Sequence, residues 1–495
     1  MALPLIRNYY FLGSGDSLSN LGRGRSLLSG DWSYFHEYFL HPGIDGFAVV
    51  LTLLTNFGIN RSYYLVVLIF GGIYIIFSSL LGATLMKSSR KAEIAIFSSL
   101  LLAPINHMGT YLLPRASSMA VLFIPFLIYL FLFSNNLEDR RYLVLSVVLF
   151  SLILIHPRVF VSLALAFVLL SAIIYKNKNV ISPLYIFGAV LIAYYLWVFS
   201  KQAFRYYSVE ATTLIYQSII SWSVQGTETV SQATSGANRG TIVIIEYFIK
   251  NFLPGLLILG ILGLFILHKL ISNIKSGERT IEHDQKLDRF LIIFIAISVL
   301  SGIWFISGVA WVRFHGLIMA VGIPLGAIAI DRYYSRLDYR WIRSALSVFF
   351  IVLLLLSVAS VHASPYLFKE SGHVTKASID GYSTMIQYES TDSNMVSLRK
   401  KTRRYKHQHN GVIEEGEFQR RGSDKMVPPH LANRSLHDHY SGSVLLPSTE
   451  ADRTGLIEVK NGYQLNQSDI EYLELNHNRV YTNRDTKFYH INAGD

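Results

Sequence analysis

Residues 63–86 read YYLVVLIFGGIYIIFSSLLGATLM, with no Asp, Glu, Lys or Arg. An uncharged apolar run of this length matches the roughly 20 residues a helix needs to cross the hydrocarbon core of a bilayer. A core helix of a soluble domain seldom needs so long a one. Working outward from it, comparable runs lie at about 92–113, 118–134, 142–155, 159–175, 180–200, 252–272, 290–309, 315–330 and 342–361. The reading is therefore an all-α polytopic membrane protein with about ten transmembrane helices, two of them short. Composition agrees: 51% of residues are hydrophobic and 16% charged, with 30 Phe and 30 Tyr. An ordinary soluble domain carries about 25% charged residues. The sequence holds no Cys, which excludes thiol catalysis, disulfides and zinc-thiolate sites.

Net charge is +11, and its distribution says more than its size. Residues 363–495 hold 17 Lys and Arg against 17 Asp and Glu; residues 1–362 hold 27 against 16 and carry the whole excess. Loops after alternate spans concentrate it: Lys87, Arg90 and Lys91; Arg140 and Arg141; Lys176 and Lys178; Lys269 to Arg289; Arg332 to Arg343. The intervening short turns carry one cation each, Arg115, Arg158 and Arg313. By the positive-inside rule the basic set, 87–91, 135–141, 176–179, 273–289 and 331–341, is cytoplasmic. Residues 1–62 then form an extracytoplasmic first loop and 63–362 the transmembrane domain, with a long external loop at 201–251. Residues 363–495 form a small extracytoplasmic α+β C-terminal domain, closed by a hairpin at 479–490 and carrying a short helix that Ser468 caps. The location is a cell membrane, crossed many times. With the first loop outside, either the N-terminus is translocated as a tail or a first helix precedes this reading frame.

The first loop contains GSGDSLSNLGRGRSLLSGD at 13–31. A Gly/Ser turn, Asp16 at an N-cap position, and Leu18, Leu21, Leu27 and Leu28 predict a short amphipathic helix stopped by Gly30. A cap position also holds a carboxylate rigidly where membrane-bound substrates meet. A second apolar helix is expected over about 44–57. His36, Glu37, His41 and Asp45 do not share one helical face, and Pro42 breaks the segment, so no metal site is expected.

The order of these features, an outward Asp shortly before R-x-R-x-L-L-x-G-D-W, then H-P-G, then a Gly-rich amphipathic stretch entering a run of helices, resembles the first external loop of the GT-C membrane glycosyltransferases. The likeness is to the members that use lipid-phospho-sugars, of the protein mannosyltransferase and aminoarabinose transferase type, and to archaeal relatives of them. It covers roughly residues 10–160. The resemblance implies a first transmembrane helix before this loop, Asp16 as general base, and a polyprenyl-phosphate-linked sugar as donor, with a protein, lipid or glycan as acceptor. The family's common acidic pair is here Gly15-Asp16, a single carboxylate. The W-W-D-Y-G signature of oligosaccharyltransferases is absent, which disfavours metal-dependent transfer of a whole oligosaccharide.

Cations stand where a lipid phosphate would lie. Arg23 and Arg25 sit in the first loop, Arg115 in Leu-Pro-Arg-Ala, His156 and Arg158 in His-Pro-Arg, and Arg313 and His315 in Trp-Val-Arg-Phe-His. An Arg fork matches phosphate geometry, and single Arg residues also anchor helix ends by snorkelling. Lys201 and Arg205 close the sixth span, and Asn106 and His107, near the outer end of the second, are weaker candidates. The run 399–406, RKKTRRYK, reads as a solvated or head-group-facing surface and not as a nucleic-acid site, since its domain is neutral and external. The partners expected are the donor, the acceptor and membrane lipids, with no nucleic acid and no cofactor. No Walker loop, Rossmann fingerprint, H-E-x-x-H or G-x-S-x-G occurs. A transporter or flippase of lipid-linked glycans is the main rival reading, and a non-enzymatic envelope protein a third. Transporters place ionisable residues near the midplane and carry internal repeats, and neither is visible here.

Overall fold

The computed structural model describes residues 9–13, 15–31, 42–86, 90–100, 112–133, 140–174, 241–276, 282–306, 311–334, 339–359, 373–388, 394–395, 402–410, 444–449, 467–483 and 485–491, with a few isolated positions. The chain is mostly helical. Strand β1 (Phe11–Leu12) precedes helices α1 (Asp16–Leu28) and α2 (Pro42–Thr55). The apolar runs then form α3 (Ile59–Leu85), α4 (Lys91–Leu100), α5 (Ala116–Phe133), α6 (Arg140–Ile155), α7 (Pro157–Ile174), α8 (Thr241–Ser276), α9 (Glu282–Ile306), α10 (Trp311–Tyr334) and α11 (Arg340–Ala359).

Among the described residues four helices are long and apolar enough to cross a membrane: Ile59–Leu85, Ala116–Phe133, Gly316–Tyr334 and Arg340–Ser357. At 1.5 Å per residue the 27 residues of α3 extend about 40 Å, more than a hydrocarbon core. Of the expected sixth span, 180–200, only residue 188 and the helical run 192–196 are among the described residues. α8 begins at Thr241, so the last part of the expected external loop 201–251 is helix. The segments 142–155 and 159–175 are two helices and not one, because Pro157 has no N–H with which to continue α6.

α10 is the most enclosed of the four long apolar helices and α11 the least. Small residues let α10 sit at the centre: a Cβ on Gly326 would lie 2.5 Å from Ile258 of α8, and one on Gly322 would lie 3.1 Å from Leu259 and 3.2 Å from Phe294. The face that α11 turns outward carries Val348, Ile351, Val352 and Leu355, all exposed. A lipid environment accommodates such a face where water does not.

The two ends of the helix bundle differ in chemistry. At one end the last turn of α5 meets the start of α9, with Lys286 over the Phe133 ring at 4.8 Å. There Lys269 of α8 pairs with Asp288, and the Arg332 guanidinium lies 5.5 Å from the Phe265 ring. The opposite end carries α1, α2 and residues from beyond 373. β2 (His373–Val374) pairs antiparallel with β1, Phe11 opposite Val374. It is followed by α12 (Lys376–Gln387), β3 (Asn394–Met395), α13 (Thr402–Asn410), β4 (Val444–Thr449), α14 (Gln467–Asn476), β5 (Asn478–Thr482) and β6 (Thr486–Ile491). The sheet order is β3-β4-β6-β5, with β5 and β6 forming the hairpin. α14 begins at Gln467, so Ser468 is inside the helix and not at its cap. Stacked Tyr382 and Tyr405, 3.8 Å between centroids, join α12 to α13, and Phe488 of β6 packs edge-on against Tyr382. The first loop and the C-terminal elements thus share a strand pair and a helix contact at one end of the bundle.

Candidate active site

The candidate site is built on the first turn of α1. Gly13 has φ +107°, a backbone conformation that L side chains rarely adopt, and it turns the chain from β1 into the helix. Gly15 is the N-cap residue, no side chain caps it, and Asp16 is the first helical residue. The expected cap role of Asp16 is corrected by one position. The physical reason is the backbone: the Gly15 carbonyl already accepts the Leu18 N–H at 2.9 Å, the first bond of the helix. Nη2 of Arg115 lies 2.6 Å from where a Cβ on Gly15 would stand, so its guanidinium reaches across the helix start. Asp16 keeps the favourable position of an anion in the first turn of a helix.

The Asp16 side chain is 46% exposed, and its Oδ1 accepts a charged contact of 2.5 Å from Nη2 of Arg404. Arg404 comes from α13, more than 380 residues further along the chain. Its Nη1 donates to Ser19 Oγ at 3.1 Å, and Ser19 Oγ lies 3.1 Å from His407 Nδ1. The reading of 399–406 as a solvated surface is therefore corrected at its described residues: Thr402 and Tyr405 are buried and Arg404 reaches into the first loop. Close approach of the two helices is possible because residue 22 is Gly. A Cβ there would overlap the His407 carbonyl oxygen and lie 2.8 Å from Gln408 Cα. Burial pushes the Arg404 pKa below the ordinary arginine range, Asp16 raises it again, and Arg403, Arg23 and Arg115 push it down. The last three charges place a basic cluster around one exposed carboxylate.

A second, buried network supports the first. Arg23 Nε donates to Asp45 Oδ2 at 2.9 Å, and Tyr63 Oη lies 2.6 Å from Asp45 Oδ1 and 2.5 Å from the Asn20 carbonyl. Arg23 also donates to Asn20 Oδ1, and Asn20 Nδ2 donates to the Pro114 carbonyl at 2.8 Å, which ties the turn carrying Arg115 to α1. Burial pushes the Asp45 carboxyl above its usual range, while the Arg23 charge and the hydrogen bonds of Tyr63 and Arg23 draw it back. Removing one partner of a buried pair leaves the other uncompensated, at a cost of about 3–5 kcal/mol. Asp45→Ala should therefore lower stability by about 3 kcal/mol, read as a fall in the thermal unfolding midpoint in detergent. A change under about 0.5 kcal/mol would mean that the network does not hold α1 to α2 and α3.

The other expected residues are placed as follows. Arg25 donates to Tyr10 Oη at 2.7 Å, on the far turn of α1 from Asp16, and so fastens the segment before β1. His156 is buried between α6 and α7, where its Nδ1 accepts the Val159 N–H at 3.3 Å and caps α7. Gly43 of α2 lies against the backbone of Leu154 and Ile155 there, so this turn is at the same end of the bundle as α1. Arg158 falls in the first turn of α7, and Arg313 and His315 in the first turns of α10; their side chains lie outside the described residues. Asn106, His107, Lys201, Arg205, His36, Glu37 and His41 also lie outside them. Among the described residues no group of three or more His, Asp or Glu could hold a metal ion. Arg404 is the residue that sequence reasoning missed. Its signal was available: Thr402, Tyr405 and Gln408, three apart, mark one buried face of a helix in a run otherwise dominated by charge.

Comparison with known proteins gives no matching protein-family model and no matching curated protein. Among solved structures the chain is similar to proteins of two kinds. One is ArnT from Cupriavidus metallidurans bound to undecaprenyl phosphate, at 13% identity and a TM-score of 0.49, over 97% of this chain and 94% of that one. The other is the oligosaccharyltransferase of Archaeoglobus fulgidus. In complex with zinc and sulfate it gives 13% identity and a TM-score of 0.47, over 81% of this chain and 58% of that one. In complex with an inhibitory peptide and a dolichol-phosphate, as AglB, it gives 13% identity and a TM-score of 0.44, over 82% and 61%.

Proposed function

We propose that this chain transfers a single sugar from a polyprenyl-phosphate-linked donor to a hydroxyl acceptor at the extracytoplasmic face of the membrane. The observation that carries the reading is a half-exposed carboxylate, Asp16, set among guanidiniums from two distant segments, Arg115 and Arg404, at one end of an apolar helix bundle. In the step, Asp16 takes the proton of the acceptor hydroxyl as its oxygen attacks the anomeric carbon. The bond from that carbon to the phosphate oxygen breaks, and polyprenyl phosphate leaves with the electron pair. Arg115 and Arg404 stabilise the charge that develops on the phosphate, and a charge-assisted contact of this kind is roughly twice as strong as a neutral one. A single displacement inverts the anomeric centre. Arg23 and Arg25 serve this site by holding α1 in place, while Arg158, Arg313 and His315 remain candidates for the outer wall of the donor pocket. The acceptor is a protein, lipid or glycan.

The reading is tested with polyprenyl-phospho-sugar radiolabelled in the sugar, given to the purified chain in liposomes with a membrane extract as acceptor source. Label should leave the organic phase and appear on acceptor, with an equal amount of polyprenyl phosphate released. Donor that crosses the bilayer intact, without release of polyprenyl phosphate, would make the chain a lipid-linked-glycan flippase instead.

A further inference from the structure

Resting on the proposed transfer reaction, we infer that Arg404 is a shared partner: its guanidinium holds the Asp16 carboxylate and passes to the donor phosphate as the reaction proceeds. The geometry supplies the reason. Asp16 cannot act as a strong proton acceptor while Arg404 touches it at 2.5 Å, because an adjacent opposite charge favours the ionised carboxylate. Base catalysis at this residue therefore needs that contact to loosen. Arg404 is held on one side only by a neutral group, the Ser19 hydroxyl, whose own position is fixed by His407. The Arg404 guanidinium is thus anchored through Nη1 and can turn its Nη2 from one anion to another.

Charge flow in the reaction drives the turn. The donor phosphate is a diester with one negative charge; the leaving polyprenyl phosphate is a monoester with nearly two near neutral pH. As Asp16 takes the acceptor proton, its charge disappears, and the phosphate gains one. The same unit of negative charge moves from one side of Arg404 to the other, and the guanidinium follows it; an anion with nearly two charges holds it more strongly than a carboxylate with one, so the later stages of the step are favoured over the ground state. An Arg fork fits two phosphate oxygens as well as two carboxylate oxygens. Arg115, across the start of α1, would meet the same phosphate. Arg403 and Arg23 add charge of the same sign around Arg404, which favours the more highly charged anion over the carboxylate.

Competition for one guanidinium has a consequence that a fixed structural ion pair does not. Removing the charge of Asp16 should tighten the binding of polyprenyl phosphate, because Arg404 is released and a like charge is removed. Equilibrium binding of polyprenyl phosphate to the full-length chain is measured for wild type, Asp16→Asn, Arg404→Gln and the double variant. A gain of about tenfold is expected for Asp16→Asn, the low end of the range for a charged hydrogen bond. It should shrink to the small remainder left by the lost like charge when Arg404→Gln is also present. Inorganic phosphate, measured beside it, separates headgroup from chain: a gain with the lipid, alone or with both ligands, supports the exchange, and a gain with inorganic phosphate alone overturns it for the lipid donor. Unchanged or weaker binding by Asp16→Asn, or a gain that persists at full size without Arg404, overturns the exchange. Should Arg404→Gln fail to fold, Arg404→Lys replaces it, and a compact ammonium should keep only part of the gain. Loss of turnover in Asp16→Asn without tighter binding would remove the exchange and leave the base reading standing. Tighter binding with turnover intact would show that Asp16 and the phosphate compete for Arg404, but would remove Asp16 as the base and with it the exchange during the step.

Discussion

Asp16→Asn should reduce turnover by at least about 100-fold while leaving the protein folded, since general base catalysis contributes roughly 10²–10⁴-fold. The structure makes this substitution cleaner than it would be at a cap. Asp16 is the first residue of α1 and no side-chain hydrogen bond caps that helix, so an amide removes no cap. What changes is charge. An amide is nearly the size of the carboxylate and can still accept a hydrogen bond from Arg404, but it cannot take the acceptor's proton. The cost to the fold is confined to a partly exposed ion pair and a favourable helix-dipole contact, each worth roughly 1 kcal/mol or less. Steady-state transfer with saturating donor, alongside a thermal melt, checks it. Retention of more than about a tenth of wild-type turnover would remove Asp16 from the proton transfer.

Gly22→Ala should be the most damaging added methyl among the described glycines of α1 and α2. Its Cβ would overlap the backbone carbonyl of His407, with Gln408 Cα at 2.8 Å, and a backbone cannot swing aside as a long side chain can. α13 must retreat from α1 by on the order of 1 Å, and a misplacement of that size costs roughly 100-fold in rate where geometry is decisive. Overpacking of this kind also costs about 1–3 kcal/mol of stability. Turnover should therefore fall by more than tenfold, and the midpoint of thermal unfolding should drop. Gly46→Ala in α2 is the control, because a Cβ there meets nothing within 4 Å and should leave both readings near wild type. Equal behaviour of the two variants would mean that the α1–α13 contact does not govern the site.

The apolar helices were the most legible part of the chain because a bilayer imposes a simple rule: backbone groups must be satisfied within the segment, over a fixed length. The run 63–86 appears as Ile59–Leu85 and the run 118–134 as Ala116–Phe133. His156-Pro157 divides two helices because the lost N–H is a local property. The site was legible only in part. Asp16 stands at the start of a short helix, as its flanking glycines indicate. The cap falls one position earlier, at Gly15, whose carbonyl accepts the Leu18 N–H, and side-chain spacing does not fix a helix start to the residue. Arg404 was read by its neighbours in sequence, a run of cations, when its partner is Asp16 at the other end of the chain. The pairing of β1 with β2 is hidden for the same reason: two residues of strand carry no pattern, and the register of Phe11 with Val374 depends on tertiary packing. Arg23 was read as a phosphate ligand, yet Asp45, 22 residues on, takes it into a buried pair. Spacing along a loop does not say which cation turns inward.

The central claim is a one-step displacement at the anomeric carbon with Asp16 as the proton acceptor. It is tested most directly by the configuration of the bond the wild-type protein makes. Donor labelled with ¹³C at the anomeric carbon is turned over by the purified chain, and the one-bond carbon–proton coupling at that carbon is read in the product. Inversion relative to the donor is predicted. Retention would require a covalent sugar–enzyme intermediate or a second displacement, and would contradict the assignment of Asp16 as base.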